Sequence, residues 1–166
     1  IAPVAVAVIF GLVARARLGR ARGGSVRQHG DRPLHAALVT SIALFGIGGL
    51  IGFAIRGSNV TIPAHYHGCI VGVTLALMGL VFHLLPRLGY GTPQGRLATL
   101  QPWLYGAGQL MHIVGLVWSG GYGVQRKVAG AEQVLRSTGE IAGMGLMGLG
   151  GAVAIVGGLL FVAIVI

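Results

Sequence analysis

The stretch at residues 61–88, TIPAHYHGCIVGVTLALMGLVFHLLPRL, decides the fold because it is long and apolar, yet it begins with two histidines. No charged residue occurs between Pro63, a favoured first helical position, and Pro86, which ends the run. About 20 such residues cross a bilayer core of about 30 Å. The segment therefore predicts a transmembrane helix with His65 and His67 near its start. Imidazoles are costly in a membrane helix and usually mark a functional site.

The composition of the whole chain agrees with a membrane protein. Its 166 residues are 54% hydrophobic and only 9% charged, with a mean hydropathy of +0.83, whereas soluble domains carry about 25% charged residues. The net charge of +9 does not indicate a nucleic-acid-binding protein, because the cations are confined to connections between apolar runs. The single cysteine excludes a disulfide within the chain.

Five apolar segments predict an all-α, polytopic transmembrane helix bundle. We expect residues 1–166 to form one transmembrane domain. The first segment is shorter than the roughly 20 residues that a span needs, so we expect its helix to be truncated and the chain to be part of a longer protein. The first segment ends near Ala14, and the other four cover residues 34–55, 63–85, 97–120 and 141–166.

The distribution of basic residues predicts the orientation of the bundle. Loops that carry more Lys and Arg lie on the cytoplasmic side. The Arg15–Arg32 loop carries six arginines and is predicted to be cytoplasmic, and alternation then places eight basic residues inside and four outside. His65 and His67 then lie near the outer face, in what we expect to be a bacterial inner membrane.

Glycines recur at spacings that favour close helix packing. Gly143, Gly150 and Gly157 are seven residues apart, and Gly48 and Gly52 form a G-x-x-x-G pattern. Both patterns are typical of helix interfaces in membranes. The G-x-G-x-x-G match at residues 143–148 lies inside a span with no preceding strand, which excludes a dinucleotide-binding loop.

The two histidines of the H-x-H pair point to opposite sides of their helix. Each helical residue turns by about 100°, so His65 and His67 are about 200° apart and serve two different partners. Gly68 and Gly72 lie beneath His65 and leave a bare face that would allow a flat macrocycle to approach closely. Neutral imidazoles are axial ligands of haem iron, which favours one haem on each flank. The alternative is that both histidines form hydrogen bonds across helices or lie among lipid headgroups.

Two other histidines have weaker claims to a ligand role. His112 lies in the outer half of the fourth span, and we favour a structural role for it over haem binding. His83 shares the face of His65 but lies about 27 Å further along the helix axis. It therefore cannot bind the same iron, and we interpret it as a residue of the inner membrane interface.

Three stretches resemble subunit I of the haem-copper oxidases, that is, a cytochrome c oxidase subunit I-like chain. IPAHYHGCIVGVTLALMGLVFHLLPRLGY resembles the tenth helix of that family, LFGIGGLIGFAIRGSN its ninth, and HIVGLVWSGGYGVQRK its His-x-x-Gly-Leu stretch leading to a basic pair. The H-x-H motif is the specific match and the others support it. The resemblance covers essentially the whole chain, from the end of the eighth helix to the twelfth.

The resemblance implies roles for four residues and two haems. His65 is expected to be the axial ligand of the high-spin haem, and His67 an axial ligand of the low-spin haem. Arg126 and Lys127 match the basic pair that holds haem propionates. The family's copper ligands and the second low-spin ligand lie in earlier helices that are not part of this sequence. The family's magnesium-binding His-Asp pair is replaced by Gly57-Ser58.

The resemblance also implies a function. The chain is expected to be the C-terminal part of a terminal respiratory oxidase, which reduces oxygen to water with electrons from cytochrome c or quinol and translocates protons. Its partners would be the remaining helices of subunit I or a split partner chain, other oxidase subunits and lipid. The alternatives are a nitric oxide reductase of the same superfamily, a non-catalytic two-haem b-type cytochrome, and a structural subunit without haem.

Overall fold

The computed structural model describes residues 31–128 and 134–166, and in these ranges the chain is a bundle of four long helices without β-strands. A one-turn 3₁₀ helix at Leu85–Leu88 contains Pro86 and terminates the second helix. The all-α membrane bundle expected from the sequence is confirmed. The first apolar segment and most of the Arg15–Arg32 loop lie outside the described residues. The helices are α1 (Asp31–Ala54), α2 (Thr61–Leu84), α3 (Gly95–Gly121) and α4 (Thr138–Val165).

Three of the four helices are apolar and long enough to cross a membrane: α1, α2 extended through the 3₁₀ turn, and α4. Helix α3 has 27 residues but a lower mean hydropathy, since it carries Gln101, Gln109 and His112. Its polar Gln101 is completely buried and donates from Nε2 to the Gly157 carbonyl of α4 at 3.1 Å. The polar side chain of Gln101 is therefore directed at a neighbouring helix, and α3 packs along α4.

Helices α1 and α2 form an antiparallel pair whose contact is made by glycines. A Cβ on Gly48 would lie 2.5 Å from the backbone nitrogen of Cys69, and one on Gly72 would lie 2.8 Å from the backbone nitrogen of Phe45. The two backbones touch without intervening side chains. Such contacts allow van der Waals attraction along the whole pair, which drives helix association in lipid.

Helices α3 and α4 form a second antiparallel pair with a glycine seam. Gly143, Gly150 and Gly157 are all buried, and each contacts the backbone of α3. Gly108 of α3 completes the seam, because a Cβ there would lie 2.5 Å from the Ala154 nitrogen. The packing face predicted from the seven-residue spacing is confirmed. Helix α3 also contacts α1 and α2, so it joins the two pairs.

Candidate functional site

The N-terminal end of α2 is built by two short polar interactions. The Asn59 side chain accepts a hydrogen bond from the Thr61 nitrogen at 2.9 Å and so forms an Asx turn just before the first turn of α2. The Val60 nitrogen donates to the Val124 carbonyl at 3.0 Å, which ties this end of α2 to the loop after α3. The first turn of α2, with both histidines of the H-x-H pair, is therefore fixed against a neighbouring connection.

His65 is oriented by a backbone carbonyl of α1. Its Nδ1 lies 2.7 Å from the Gly48 carbonyl oxygen. A carbonyl can only accept, so Nδ1 carries a proton, and in the neutral ring Nε2 then keeps its lone pair. This is the arrangement in which metal-ligating histidines are usually held, because the second hydrogen bond fixes both tautomer and ring plane. The structure therefore leaves Nε2 of His65 available as a ligand atom.

Gly52 makes the space for the His65 ring. A Cβ at this position would lie 2.9 Å from both Nδ1 and Cε1 of His65. The G-x-x-x-G pattern of α1 thus has two uses. Gly48 allows the helix backbones to touch and supplies the carbonyl, while Gly52 accommodates the imidazole one turn further along.

The expectation for Gly68 and Gly72 needs correction. Both are buried, but their open side is filled by α1 and not by free space: Gly68 meets Gly48, and Gly72 meets Phe45. The bare face beneath His65 is a helix contact, because α1 packs along it. A haem on His65 would not approach α2 through these two glycines.

His67 lies on the opposite flank of α2, as the 100° rotation per residue predicts. Its ring is half-buried and faces α3, where the His112 ring lies edge-on at a centroid distance of 5.0 Å. The Tyr66 ring stacks on it at 5.5 Å. Within the described ranges, His67 makes no hydrogen bond. The two histidines of the pair thus contact different helices, and the separation into two flanks is confirmed.

The basic pair predicted to bind propionates lies at the same end of the bundle. Arg126 and Lys127 follow α3 in a turn that meets the α1–α2 connection through the Asn59–Gln125 bridge. Arg126 donates from Nε to the Ser58 hydroxyl at 3.1 Å, which leaves its two terminal amino groups for another acceptor. Lys127 is exposed and adopts a left-handed φ of 63°, an uncommon conformation for a residue with a side chain.

Three features of the site carry no clear signal in the sequence. The Gly48 carbonyl is a backbone group, and nothing in the residue types marks it as the acceptor for His65. The contact between His67 and His112 depends on how two successive helices pack against each other. The buried Gln101 has an Oε1 without a hydrogen-bond partner among the described residues. In the sequence it is only a glutamine beside Pro102 in an apolar run, which does not indicate that it is buried.

The donor set suits haem better than a bare metal ion. Among the described residues there is no group of three or more His, Cys, Asp or Glu side chains that could hold a metal ion. A structural zinc site needs four protein ligands, whereas a haem supplies its own equatorial nitrogens and needs only one or two axial ligands. His65, with Nδ1 bonded and Nε2 available, fits that requirement by itself.

Comparison with known proteins identifies relatives that this chain matches over only part of their length. The chain is 43% identical over 138 residues to an uncharacterized protein of Rickettsia prowazekii, and the match covers 76% of this chain and 26% of that protein. An uncharacterized protein of Aquifex aeolicus is 35% identical over 65 residues, or 39% of this chain and 17% of that protein. No protein-family profile and no solved structure matches the chain.

A further relative is cytochrome c oxidase subunit 1 of Thermus thermophilus. It is 32% identical over 136 residues, covering 74% of this chain and 24% of that protein. The chain therefore spans about a quarter of the length of the two relatives that it matches most extensively. Over that quarter, this membrane helix bundle is similar to cytochrome c oxidase subunit 1.

Proposed function

We propose that this chain is the haem-binding C-terminal part of a terminal respiratory oxidase. The enzyme would reduce oxygen to water with electrons from cytochrome c or quinol and would couple this reaction to proton translocation. The similarity to cytochrome c oxidase subunit 1 supports an oxidoreductase of this kind. The observation that carries the proposal is the orientation of His65, whose Nδ1 is bonded to the Gly48 carbonyl so that Nε2 is available.

The roles of the individual residues follow from where they lie. Nε2 of His65 would ligate the high-spin haem, and the imidazole of His67 on the opposite flank would ligate the low-spin haem. When bound, the two haems would supply an electron carrier and an iron that binds oxygen next to a copper held by residues outside this chain. Because both ligands belong to the rigid first turns of α2, the helix itself would set the separation of the two centres.

The outer loop would contribute charge. Arg126 and Lys127 lie at the end of the bundle where α2 begins, and the terminal amino groups of Arg126 are available to bind carboxylates. Guanidinium–carboxylate pairs are commonly bidentate and stronger than neutral hydrogen bonds. Haem propionates directed toward this surface would meet both cations. The chain has only three acidic residues, and none lies in the interior of an apolar span, since Glu140 is in the first turn of α4, so a carboxylate relay for protons would have to come from other parts of the enzyme.

The proposal is tested by difference spectroscopy of the native complex. Spectra of the reduced complex with and without carbon monoxide would be compared for the parent, His65→Ala and His67→Ala, with His83→Ala as the control at the exposed inner end of α2. We expect His65→Ala to abolish the carbon monoxide signal and His67→Ala to remove a separate low-spin band. Parent spectra in both variants would contradict haem ligation by either residue.

The same spectra, together with a turnover assay, separate the proposed function from the alternative functions. A two-haem electron-transfer cytochrome would show two low-spin bands and no carbon monoxide signal in the parent. A nitric oxide reductase would show both haems but would consume nitric oxide faster than oxygen in a turnover assay. The Thermus relative is a cytochrome c oxidase, which favours oxygen as the substrate.

A further inference from the structure

A histidine–histidine contact lies on the flank of α2 that faces α3. The rings of His67 and His112 have centroids 5.0 Å apart and planes inclined at 62°, which is an edge-to-face arrangement. Aromatic rings attract each other in this arrangement, because the positive edge of one ring meets the negative face of the other. The contact therefore restrains the plane of the His67 ring, for which the described residues provide no hydrogen bond.

His112 is itself held firmly by α4. Its Nδ1 lies 3.0 Å from the Met147 carbonyl oxygen, so Nδ1 must donate to that oxygen. The glycine seam brings α4 close enough for this bond, because Gly150 packs directly on the backbone of α3 at His112 and a Cβ on Gly151 would lie 3.5 Å from the His112 Nδ1. The His112 ring is thus fixed in tautomer and plane by a neighbouring helix.

We propose that His112 is a positioning residue for His67. The Met147 carbonyl fixes His112, and the His112 ring fixes the plane of the imidazole that ligates the low-spin haem. This inference rests on the proposed function. It adds that the α3–α4 pair, to which the proposed function assigns no haem ligand, sets the orientation of a ligand on α2.

His112 makes two contributions, its ring contact with His67 and its hydrogen bond to the Met147 carbonyl. Two substitutions remove them one at a time. His112→Phe keeps a ring against His67 but loses the bond to Met147. His112→Asn keeps an amide donor at the position of Nδ1 but loses the ring. His83→Asn is the matched control, because His83 is exposed at the far end of α2 and has no ring neighbour among the described residues.

The measurement is electron paramagnetic resonance of the oxidised native complex, with haem content and the carbon monoxide difference spectrum recorded on the same samples. The g values of a low-spin ferric haem depend on the planes of its axial imidazoles. We expect both His112 variants to retain two haems and the parent carbon monoxide signal. The largest low-spin g value should shift and broaden most in His112→Asn and less in His112→Phe, and it should not change in His83→Asn.

Several outcomes would overturn the inference. An unchanged low-spin signal in both His112 variants would show that the contact does not orient His67. Loss of the low-spin haem from His112→Asn, as expected for His67→Ala, would make His112 a ligand, and loss of both haems from both variants would make it a packing residue. Absence of any haem from the parent complex is a different result, because it would overturn the proposed function as well.

Discussion

The two flanks of α2 hold their histidines by different means. On the α1 flank, His65 is fixed by a hydrogen bond to the Gly48 carbonyl, and Gly52 leaves just enough space for the ring. On the α3 flank, His67 has only ring neighbours, and its orientation depends on a residue that is itself held by α4. One flank therefore fixes its histidine through the backbone, and the other does so through side chains.

This difference predicts unequal sensitivity to substitution. A backbone carbonyl cannot be removed by mutation, so the α1 flank is disrupted only by filling the space around His65. The α3 flank can be altered in small steps, since each ring can be exchanged for another.

The largest effect is expected from Gly52→Ala, which fills the space on the α1 flank. The new Cβ would lie 2.9 Å from Nδ1 and Cε1 of His65, so the ring must move and lose its bond to the Gly48 carbonyl. Losing an outer-shell partner of a metal-bound histidine typically costs 10–100-fold in affinity or activity. We expect the carbon monoxide signal of the complex to fall by at least about tenfold, measured per mole of assembled complex.

Gly49→Ala is the matched control for this substitution. Gly49 lies on the same helix, and nothing among the described residues lies within 4 Å of an added Cβ. Its carbon monoxide signal should equal that of the parent. An equal loss in both variants would show that α1 tolerates no added methyl group, and the special role of Gly52 would be refuted.

A second large effect is expected from Gly150→Val, which separates α3 from α4. Its Cβ would lie 2.6 Å from the Gly108 carbonyl oxygen and would overlap the backbone at His112. No side-chain rotation relieves a clash with backbone, and overpacking typically costs about 1–3 kcal/mol. We expect a lower yield of assembled complex, a lower Tm and a disturbed low-spin spectrum, while the carbon monoxide signal per remaining complex is kept.

Gly148→Val tests whether the effect of Gly150→Val depends on the position of that glycine or on the loss of any glycine from α4. Gly148 is exposed, and an added Cβ would meet none of the described residues within 4 Å. A parent-like Tm is expected for this control. A carbon monoxide signal lost together with the low-spin band in Gly150→Val would show that the two flanks are not independent.

A moderate effect is expected from Arg126→Gln in the loop that follows α3. The substitution removes one of the two cations assigned to the propionates and the bond to Ser58. Hydrogen bonds to charged groups contribute about 1.5–3 kcal/mol, reduced here by partial exposure to solvent. We expect faster haem loss in detergent, detected by the absorbance of the complex over time. Arg136→Gln, which changes an exposed arginine near the start of α4, should retain haem like the parent.

The sequence predicts the local geometry of this site better than its surroundings. The opposed directions of His65 and His67 follow from 100° per residue, and the Gly143–Gly150–Gly157 seam follows from a period of seven, since both depend on one helix alone. The four described helices occur where the apolar runs predict them. These features require no knowledge of which helix is adjacent to which.

Features that depend on neighbours could not be predicted. Gly68 and Gly72 leave a helix face without side chains, which either a haem or another helix could cover. Only the position of α1 shows that a helix covers it. The acceptor for His65 is the backbone carbonyl of Gly48. Every residue has a backbone carbonyl, so the residue type does not indicate which one accepts this bond. Gln101 finds its acceptor at Gly157, 56 residues away in the chain, and also contacts Met78 of α2, so its burial depends on how α3 packs against both neighbours.

The smallest effect is expected from Ser58→Ala, which sharpens the prediction for Arg126. The Ser58 hydroxyl accepts the hydrogen bond from Arg126 Nε in an exposed setting, where such an interaction contributes about 0.5–1.5 kcal/mol at most. If Ser58 only orients the guanidinium, haem loss in detergent should accelerate less than twofold over the parent, on the order of 0.4 kcal/mol. The double variant Ser58→Ala with Arg126→Gln should lose haem no faster than Arg126→Gln alone, because the hydroxyl would act only through that arginine. Additive rates in the double variant would mean that Ser58 contributes independently of Arg126, and the loop would then hold its charge without the Ser58 contact.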